Sequence, residues 1–374
     1  MCRERITVIG AGNGGMTAAY HLTKLGREVC IYDSLEFDTQ IRAIREQGGI
    51  RALGEDHGDK LLLGGFERIA KAVTDMEEAV SFADTLVMVC PSFAQELLFE
   101  RMLPYLRDNQ TLLVMPGNFA GLVLHQMLEN SSRKGLNLTF VDAISIPWAT
   151  RLSGPAQLDI MGLKRFLPVS IFPGSHNTPR QRARTEAAIP IPVEYLKTPL
   201  EAGLENINFG GHPLMTAVNI GLLENFNGEF NYYVDCCSPS TARAAAKMDL
   251  ERMQVGEAYG YRLRTELEAM NALYGCQCET VYEFNRSSVT HGKVKNAPKS
   301  AEERYISEDV PYLLVPVYEL AKNAGLRPVL IESVIHLACA YNDTDYFATG
   351  RTLEKMGLDG KTPEEIQAYF QQGI

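Results

Sequence analysis

The apolar positions of this chain fall into two regimes. Residues 5–9, RITVI, form a short β-rich run that passes through GAGNGG into an Ala- and Leu-containing helix ending at Gly26, and EVCIYD follows as a second strand ending at Asp33. A helix is predicted over 36–47, and then a pair of short strands in GGIRALG and KLLLGGF around a polar tip at Glu55 to Asp59. Helix 75–83, strand 85–90 (TLVMVC), helix 93–106, strand 111–115 (TLLVM), helix 119–131 and strand 138–142 (LTFVD) then alternate, which calls for a parallel sheet covered on both faces. Between 157 and 196 the pattern shifts to short strands such as VSIF and one helix, opened by Thr178-Pro179 with Gln181 in the manner of a capping box. From about 198 onwards the runs are helical: 213–225, a long one from Pro239 to about Tyr274 kinked at Gly256 and Gly260, 316–323, 328–341, and a last one capped by Thr362-Pro363-x-Glu365. The pattern predicts a doubly wound, mostly parallel α/β domain over residues 1–197 and an all-helical domain over 198–374. A packed interface between them makes their cleft the default ligand site.

At 374 residues, 45% of them apolar and 22% charged, the chain has the length for two conventional cores. Its net charge of -10 argues against nucleic acid, since phosphate binding needs surplus Lys and Arg. No apolar run reaches the roughly 18 to 20 residues of a membrane span. MCRER passes straight into a strand and leaves no room for a signal peptide, so neither membrane nor export is expected and the chain is placed in the cytoplasm. Eight cysteines fit that compartment. Cys2, Cys30 and Cys90 lie in or beside strands and Cys339 in an apolar helix, while Cys236-Cys237 and Cys276-x-Cys278 lack a second pair at zinc spacing, so no metal is expected.

The spacing Gly10-x-Gly12-x-x-Gly15, with an extra Gly14, follows a strand and opens a helix, which is the dinucleotide fingerprint. One glycine serves the tight turn, one the approach of the pyrophosphate and one the packing of helix on strand, and the helix N-terminus faces the phosphates. Asp33, about 20 positions on, can accept from both ribose hydroxyls, and its charge would repel a 2′-phosphate. NADH is therefore expected in preference to NADPH, with Arg42 or Arg45 able to soften that preference towards NADP. Three strand ends add candidates. Pro91 sits on the edge where open α/β sheets bind ligands, or is a simple strand stop. Asn118 in MPGN and Ser145 in ISIPWATR could hydrogen-bond a small substrate above the nicotinamide, or be ordinary loop polar residues.

In NINFGGHPLMTAVN, Pro213 biases His212 towards an extended conformation and opens a helix, and Gly210 and Gly211 give the turn backbone freedom. A histidine so placed can face a cleft and exchange protons with a substrate, or merely cap a helix. EERYISEDVP carries Arg304 and Asp309 just before Pro311 opens a helical run. This is either a solvated cap or the missing half of a site. A guanidinium forks a carboxylate, and an aspartate near a helix start can hold an imidazole by its second nitrogen.

These residues resemble the opine dehydrogenases, the family of octopine, nopaline and N-(1-carboxyethyl)norvaline dehydrogenases. The resemblance covers nearly the whole chain. It runs through the N-terminal glycines, RAIREQGGI, NINFGGHP, FNYYVDCCSPSTARAAAKMDLER, RYISEDVPYLLVP and DTDYFATGRTLEKMGL. It implies an N-terminal Rossmann domain, a helical C-terminal domain, a catalytic pair falling on His212 and Asp309, and contact of Arg304 with the substrate carboxylate. MPGN and ISIPWATR depart from the threonine- and glutamine-bearing versions of some members, and Asn118 and Ser145 stand as their replacements. The implied reaction is NADH-dependent condensation of a 2-oxo acid, most simply pyruvate, with an L-amino acid, and reduction of the imine. A 2- or 3-hydroxy acid dehydrogenase of the same plan is the enzymatic alternative, and a dinucleotide-sensing scaffold the non-catalytic one. The amino acid, product stereochemistry and oligomeric state, a homodimer among the options, are left open.

Overall fold

The computed structural model describes residues 3–54, 63–288 and 297–371. The chain folds into two compact units, Met1–Pro199 and Leu200–Gln372.

Unit 1 runs β1 Arg5–Ile9, α1 Asn13–Lys24, β2 Glu28–Tyr32, α2 Thr39–Gln47, β3 Ile50–Gly54, β4 Gly65–Glu67, β5 Lys71–Val73, α3 Met76–Phe82, β6 Thr85–Met88, α4 Ser92–Met102, β7 Thr111–Val114, α5 Ala120–Glu129, β8 Thr139–Ala143, β9 Trp148–Gly154, β10 Gln157–Leu163, β11 Leu167–Phe172, α6 Pro179–Ala188 and β12 Val193–Tyr195. Eight strands form one sheet in the order β12-β11-β8-β7-β6-β1-β2-β5. All pairs from β8 to β5 are parallel, and β11 joins β8 antiparallel. β6, β7 and β8 are buried at every position, as strands covered on both faces must be. The order reverses at β1, which pairs with β2 on one side and β6 on the other, so the ligand edge of the sheet lies at the carboxyl ends of these strands. Asp142, buried near the end of β8, accepts from the Gly121 backbone N–H with both carboxylate oxygens, at 3.0 and 2.9 Å, in the first turn of α5.

A second sheet, β4-β3-β10-β9, was not foreseen. The strand pair β3 and β4 is present and antiparallel; the expected polar tip at Glu55 to Asp59, with Lys60 to Leu62, lies outside the described residues. ISIPWATR is loop only up to Pro147, because Trp148–Gly154 pairs with Gln157–Leu163. Alternate residues of β10 are buried, and polar contacts tie β9 to α1. Thr150 and Thr17 hydroxyls meet at 2.8 Å, and Trp148 Nε1 donates to His21 Nδ1 at 3.0 Å. Burial pushes His21 down to about 4, so its ring is neutral and its Nδ1 accepts.

Among the described residues unit 2 is helical throughout. It contains α7 Pro199–Leu204, which begins at the division, α8 Asn208–Gly211, α9 Pro213–Val218, α10 Ile220–Asn225, α11 Tyr232–Asp235, α12 Pro239–Ala258, α13 Glu266–Tyr274 and α14 Val281–Ser287. The later helices cover Arg304–Ser307, Val315–Asn323, Val329–Asn342, Tyr346–Thr349 and Pro363–Gln371, and a wide π turn, Val310–Leu314, precedes the second of these. Two long runs are broken. The run over 213–225 divides at Asn219, and the expected kinked helix from Pro239 to Tyr274 is two helices. Gly260, at φ +78°, ends α12 in a left-handed turn, and Gly256 leaves room for Leu263, which would stand 2.4 Å from any Cβ there. The new start at α13 carries a capping box, Thr265 with Glu268. Thr362 and Glu365 cap each other's N–H, whereas Thr178 accepts from Gln181 N–H while the Gln181 side chain turns to Thr111. Among the described residues no helix is long and apolar enough to cross a membrane, and no group of three or more His, Cys, Asp or Glu is placed to hold a metal.

Candidate active site

In unit 1 the carboxyl edge of the parallel sheet gathers Gly10 to Gly15 after β1, Asp33 after β2, Pro91 after β6, Asn118 after β7 and Ser145 after β8. The glycines divide by what a Cβ would meet. At Gly10, where φ is +104°, it would stand 2.4 Å from the Val89 carbonyl oxygen; at Gly15, 1.9 Å from that of Gly10; at Gly14, 2.7 Å from Val89 Cγ1. The fold itself demands these three. At Gly12 nothing lies within 4 Å, so the space over that residue is open for a ligand. Gly12 also caps α1 without a side chain, and no acid stands in the first turn, which leaves a positive helix end.

Asp33 Oδ2 accepts from Ala11 N–H and Oδ1 from Ser34 N–H, both at 2.8 Å. Each oxygen keeps a lone pair for a ribose hydroxyl. Burial raises the Asp33 pKa above its ordinary value, against the pull of those two donors. Arg42 is paired with Asp38 at 3.1 Å and the Arg45 guanidinium donates to the Ala72 carbonyl at 2.6 Å. Open glycine, bare helix start and terminal acid fit an NAD dinucleotide. Pro91 is exposed at the N-cap of α4. Asn118 is buried at φ +50°, its Nδ2 donating to Ser92 Oγ at 2.9 Å, and the buried Ser145 donates to the Ile146 carbonyl at 3.3 Å.

In unit 2, His212 stands between α8 and α9 with Pro213 as first residue of α9. Its backbone is helical, φ −99° and ψ −64°, where the following proline favours an extended one. The reason lies in what holds the turn: His212 N–H continues α8 onto the Asn208 carbonyl at 3.3 Å, and the buried Tyr232 hydroxyl reaches the carbonyls of Gly211 and His212 at 3.2 and 3.0 Å. Nor do Gly210 and Gly211 supply positive φ. They sit in α8 because the buried Glu266 carboxylate lies where their Cβ atoms would be, 2.3 Å from that of Gly210 and 3.0 Å from that of Gly211.

His212 Nδ1 meets Asp309 Oδ2 at 2.8 Å, the carboxyl group being 1% exposed. A carboxylate accepts, so Nδ1 carries the hydrogen and Nε2 is left with its lone pair. Tyr233 hydroxyl lies 3.1 Å from Nε2, and the Tyr305 ring stacks on the imidazole, with centroids 3.7 Å apart and planes 9° from parallel. Arg304 Nε pairs with Glu308 Oε2 at 3.3 Å; the arginine side chain is 55% exposed and the glutamate 2%. A held guanidinium thus stays open to solvent.

Residues 195–342 match the family described as NAD/NADP octopine/nopaline dehydrogenase, alpha-helical domain, and residues 5–134 match the NAD-dependent glycerol-3-phosphate dehydrogenase N-terminus. The opine dehydrogenase of Arthrobacter sp. (strain 1C) is 28% identical over 366 residues, covering 96% of this chain and 97% of that protein. Residues 195–342 thus carry the helical domain of the octopine/nopaline dehydrogenases, and the chain is similar to opine dehydrogenases along nearly its whole length. Protein ocs of Agrobacterium tumefaciens (strain Ach5), 23% identical, likewise spans 97% of the chain and 98% of its own length. In fold, octopine dehydrogenase in complex with NADH and agmatine superposes with a TM-score of 0.77 at 20% identity, over 97% of this chain and 98% of that one. Yersinopine dehydrogenase with NADP+ bound gives 0.71 at 13% identity over 99% and 98%. Both units thus share their fold with opine dehydrogenases.

Sequence reasoning missed Tyr232, Tyr233, Tyr305, Glu266 and Glu308. Spacing carried a signal for two of them. Residues four apart share a helical face, so 304 goes with 308 and 305 with 309, which puts Tyr305 beside the Asp309 carboxylate and gives Arg304 an acidic neighbour. For Tyr232 and Tyr233 the doubled tyrosine in FNYYVDCC was visible, but its nearness to His212 is tertiary.

Proposed function

We propose that the protein is an NADH-dependent opine dehydrogenase that joins a 2-oxo acid, in the simplest case pyruvate, to the amine of an L-amino acid, reduces the imine to a secondary amine dicarboxylate, and catalyses the reverse oxidation. The observation that carries this is the buried Nδ1 to Asp309 contact of His212 at 2.8 Å, inside the segment matching the octopine/nopaline helical domain. Bound NADH supplies the hydride. The chain's own residues supply position and protons. Arg304 grips a substrate carboxylate. Protonated His212 polarises the keto oxygen and assists loss of water on the way to the imine; in the oxidative direction neutral His212 takes the proton from the amine. Asp309 fixes the tautomer and faces the imidazolium charge. Asn118 and Ser145 are proposed as strand-end contacts to substrate. Structures of octopine dehydrogenase with NADH and L-arginine, and with NADH and pyruvate, support the substrate class. A cytoplasmic location goes with this reading, on the cysteine spacing of the sequence.

NADH oxidation is the test. It should require a 2-oxo acid and an amino acid together, and product should appear as a secondary amine. Equal turnover with the keto acid alone would instead make the protein a hydroxy acid dehydrogenase.

A further inference from the structure

We propose that the Tyr233 hydroxyl relays the proton between the substrate and Nε2 of His212, with the Tyr305 hydroxyl holding it in line. This rests on His212 as the acid-base group. Asp309 occupies Nδ1, so every proton that His212 exchanges with substrate passes Nε2, and among the described residues the group facing Nε2 is the Tyr233 hydroxyl at 3.1 Å. The Tyr305 ring covers one face of the imidazole, and its own hydroxyl stands 3.3 Å from that of Tyr233. Tyr232, a further aromatic neighbour, lies edge-on with its hydroxyl engaged by Thr216 at 2.8 Å and by the Gly211 and His212 carbonyls.

A phenol offers one donor and two acceptor lone pairs. Tyr233 donates to neutral Nε2 and accepts from Tyr305, and its second lone pair takes a substrate N–H or O–H when substrate binds. In the oxidative direction the substrate N–H bond breaks as an O–H bond forms on Tyr233, while the original Tyr233 O–H bond breaks and an N–H bond forms on Nε2. The phenol ends neutral, the imidazolium faces Asp309, and the hydride leaves separately to the oxidised dinucleotide of the main reaction. Reduction runs the same two transfers backwards. Burial, with the neighbouring Tyr305 phenol adding to it, holds the Tyr233 pKa well above its usual value, so a free tyrosinate is not populated and the two protons move together.

Tyr233→Phe keeps the ring and removes the oxygen. In single-turnover hydride transfer the variant should lose about 10²-fold in rate, the scale of one acid-base contact, while its NADH affinity stays that of the wild type. The wild-type rate should fall along a bowed curve across H₂O/D₂O mixtures, the signature of two protons in flight, and the curve for the variant should be straight. Tyr305→Phe, which keeps the stack, should cost under about tenfold. Wild-type rate in Tyr233→Phe with His212→Ala inactive would overturn the relay and leave His212 standing, with the phenol displaced by substrate; a straight wild-type curve would also overturn it. An active His212→Ala sinks the acid-base reading itself. Should Tyr233→Phe not fold, 3-fluorotyrosine at position 233 supplies the same decision. A changed isotope effect supports the relay, and an unchanged one overturns it.

Discussion

The imidazole of His212 and the ring of Tyr305 lie face to face, 3.7 Å between centroids and 9° from parallel, while Asp309 holds Nδ1 at 2.8 Å. A ring fixed on one face and at one nitrogen has little rotational freedom left, which suits the acid-base role proposed for it. His212→Ala should lower kcat by about 10² to 10⁴ while NADH still binds, and Asp309→Asn should do so less severely. Steady-state kinetics with a parallel fluorescence titration of NADH separates the two effects.

Arg304→Lys retains the charge and the partner Glu308 but loses the planar fork. The loss should fall mainly on the KM of the carboxylate substrate, with kcat within about threefold of wild type. A large fall in kcat at unchanged KM would remove Arg304 from substrate binding.

Gly12 and Gly15 should part company. A methyl group at Gly15 stands 1.9 Å from the Gly10 carbonyl and forces α1 off its strand, whereas at Gly12 it meets no protein atom within 4 Å. Gly12→Ala should therefore melt within a degree or two of wild type yet lose about tenfold or more in NADH affinity, because its Cβ enters the pyrophosphate space. Gly15→Ala should lose about 2 kcal/mol or more of stability first. Thermal melts with and without NADH discriminate the outcomes.

Asp33 is proposed to set the dinucleotide preference. Asp33→Ala removes the charge that repels a 2′-phosphate, so the ratio of kcat/KM for NADH over NADPH should fall by about tenfold or more. An unchanged ratio would remove Asp33 from ribose recognition.

Stability should fall with rising pH through Glu266. Burial pushes its carboxyl up to about 8, with Asp249 adding and Arg252 and the Gly211 N–H opposing. A raised folded-state pKa contributes fully below the unfolded value, about 4.3, and is lost as pH rises through about 8. A tenfold change in proton affinity corresponds to about 1.4 kcal/mol, so the whole effect is on the order of several kcal/mol. Glu266→Gln, which keeps the shape and an acceptor for Gly211, should unfold at a urea midpoint above wild type at pH 9 and close to it at pH 5.

The alternating half of the fold was legible because buried parallel strands such as TLVM and TLLV are apolar without interruption and the glycines mark the turn between them. β9 was not. WATRLSG mixes small, polar and charged residues into a short run, so it reads as a strand-end loop, and β10 was foreseen only as part of a stretch of short strands from 157, without its partner. The break between α12 and α13 was hidden by helix-forming residues on both sides; Gly260 ends the first helix only because a new cap follows. At the site, His212 and Asp309 were visible as residue types in suggestive settings. That glycines 210 and 211 exist to admit a carboxylate, and that proline fails to extend His212, depends on Glu266 and Tyr232, whose contacts with the turn no local pattern encodes.

The Asp142 carboxylate beneath α5 has a bearing on where anions can go. Helices that begin at the ligand edge of the sheet each present a partial positive charge there, and an incoming phosphate could in principle choose among them. α5 already has a first-turn donor taken by a buried side chain, with the Asp142 oxygens at 3.0 and 2.9 Å from the Gly121 nitrogen. α1 has neither cap nor acid in its first turn. The internal carboxyl group thus takes up a first-turn donor of α5 from within the sheet, whereas α1 has no such partner at its start.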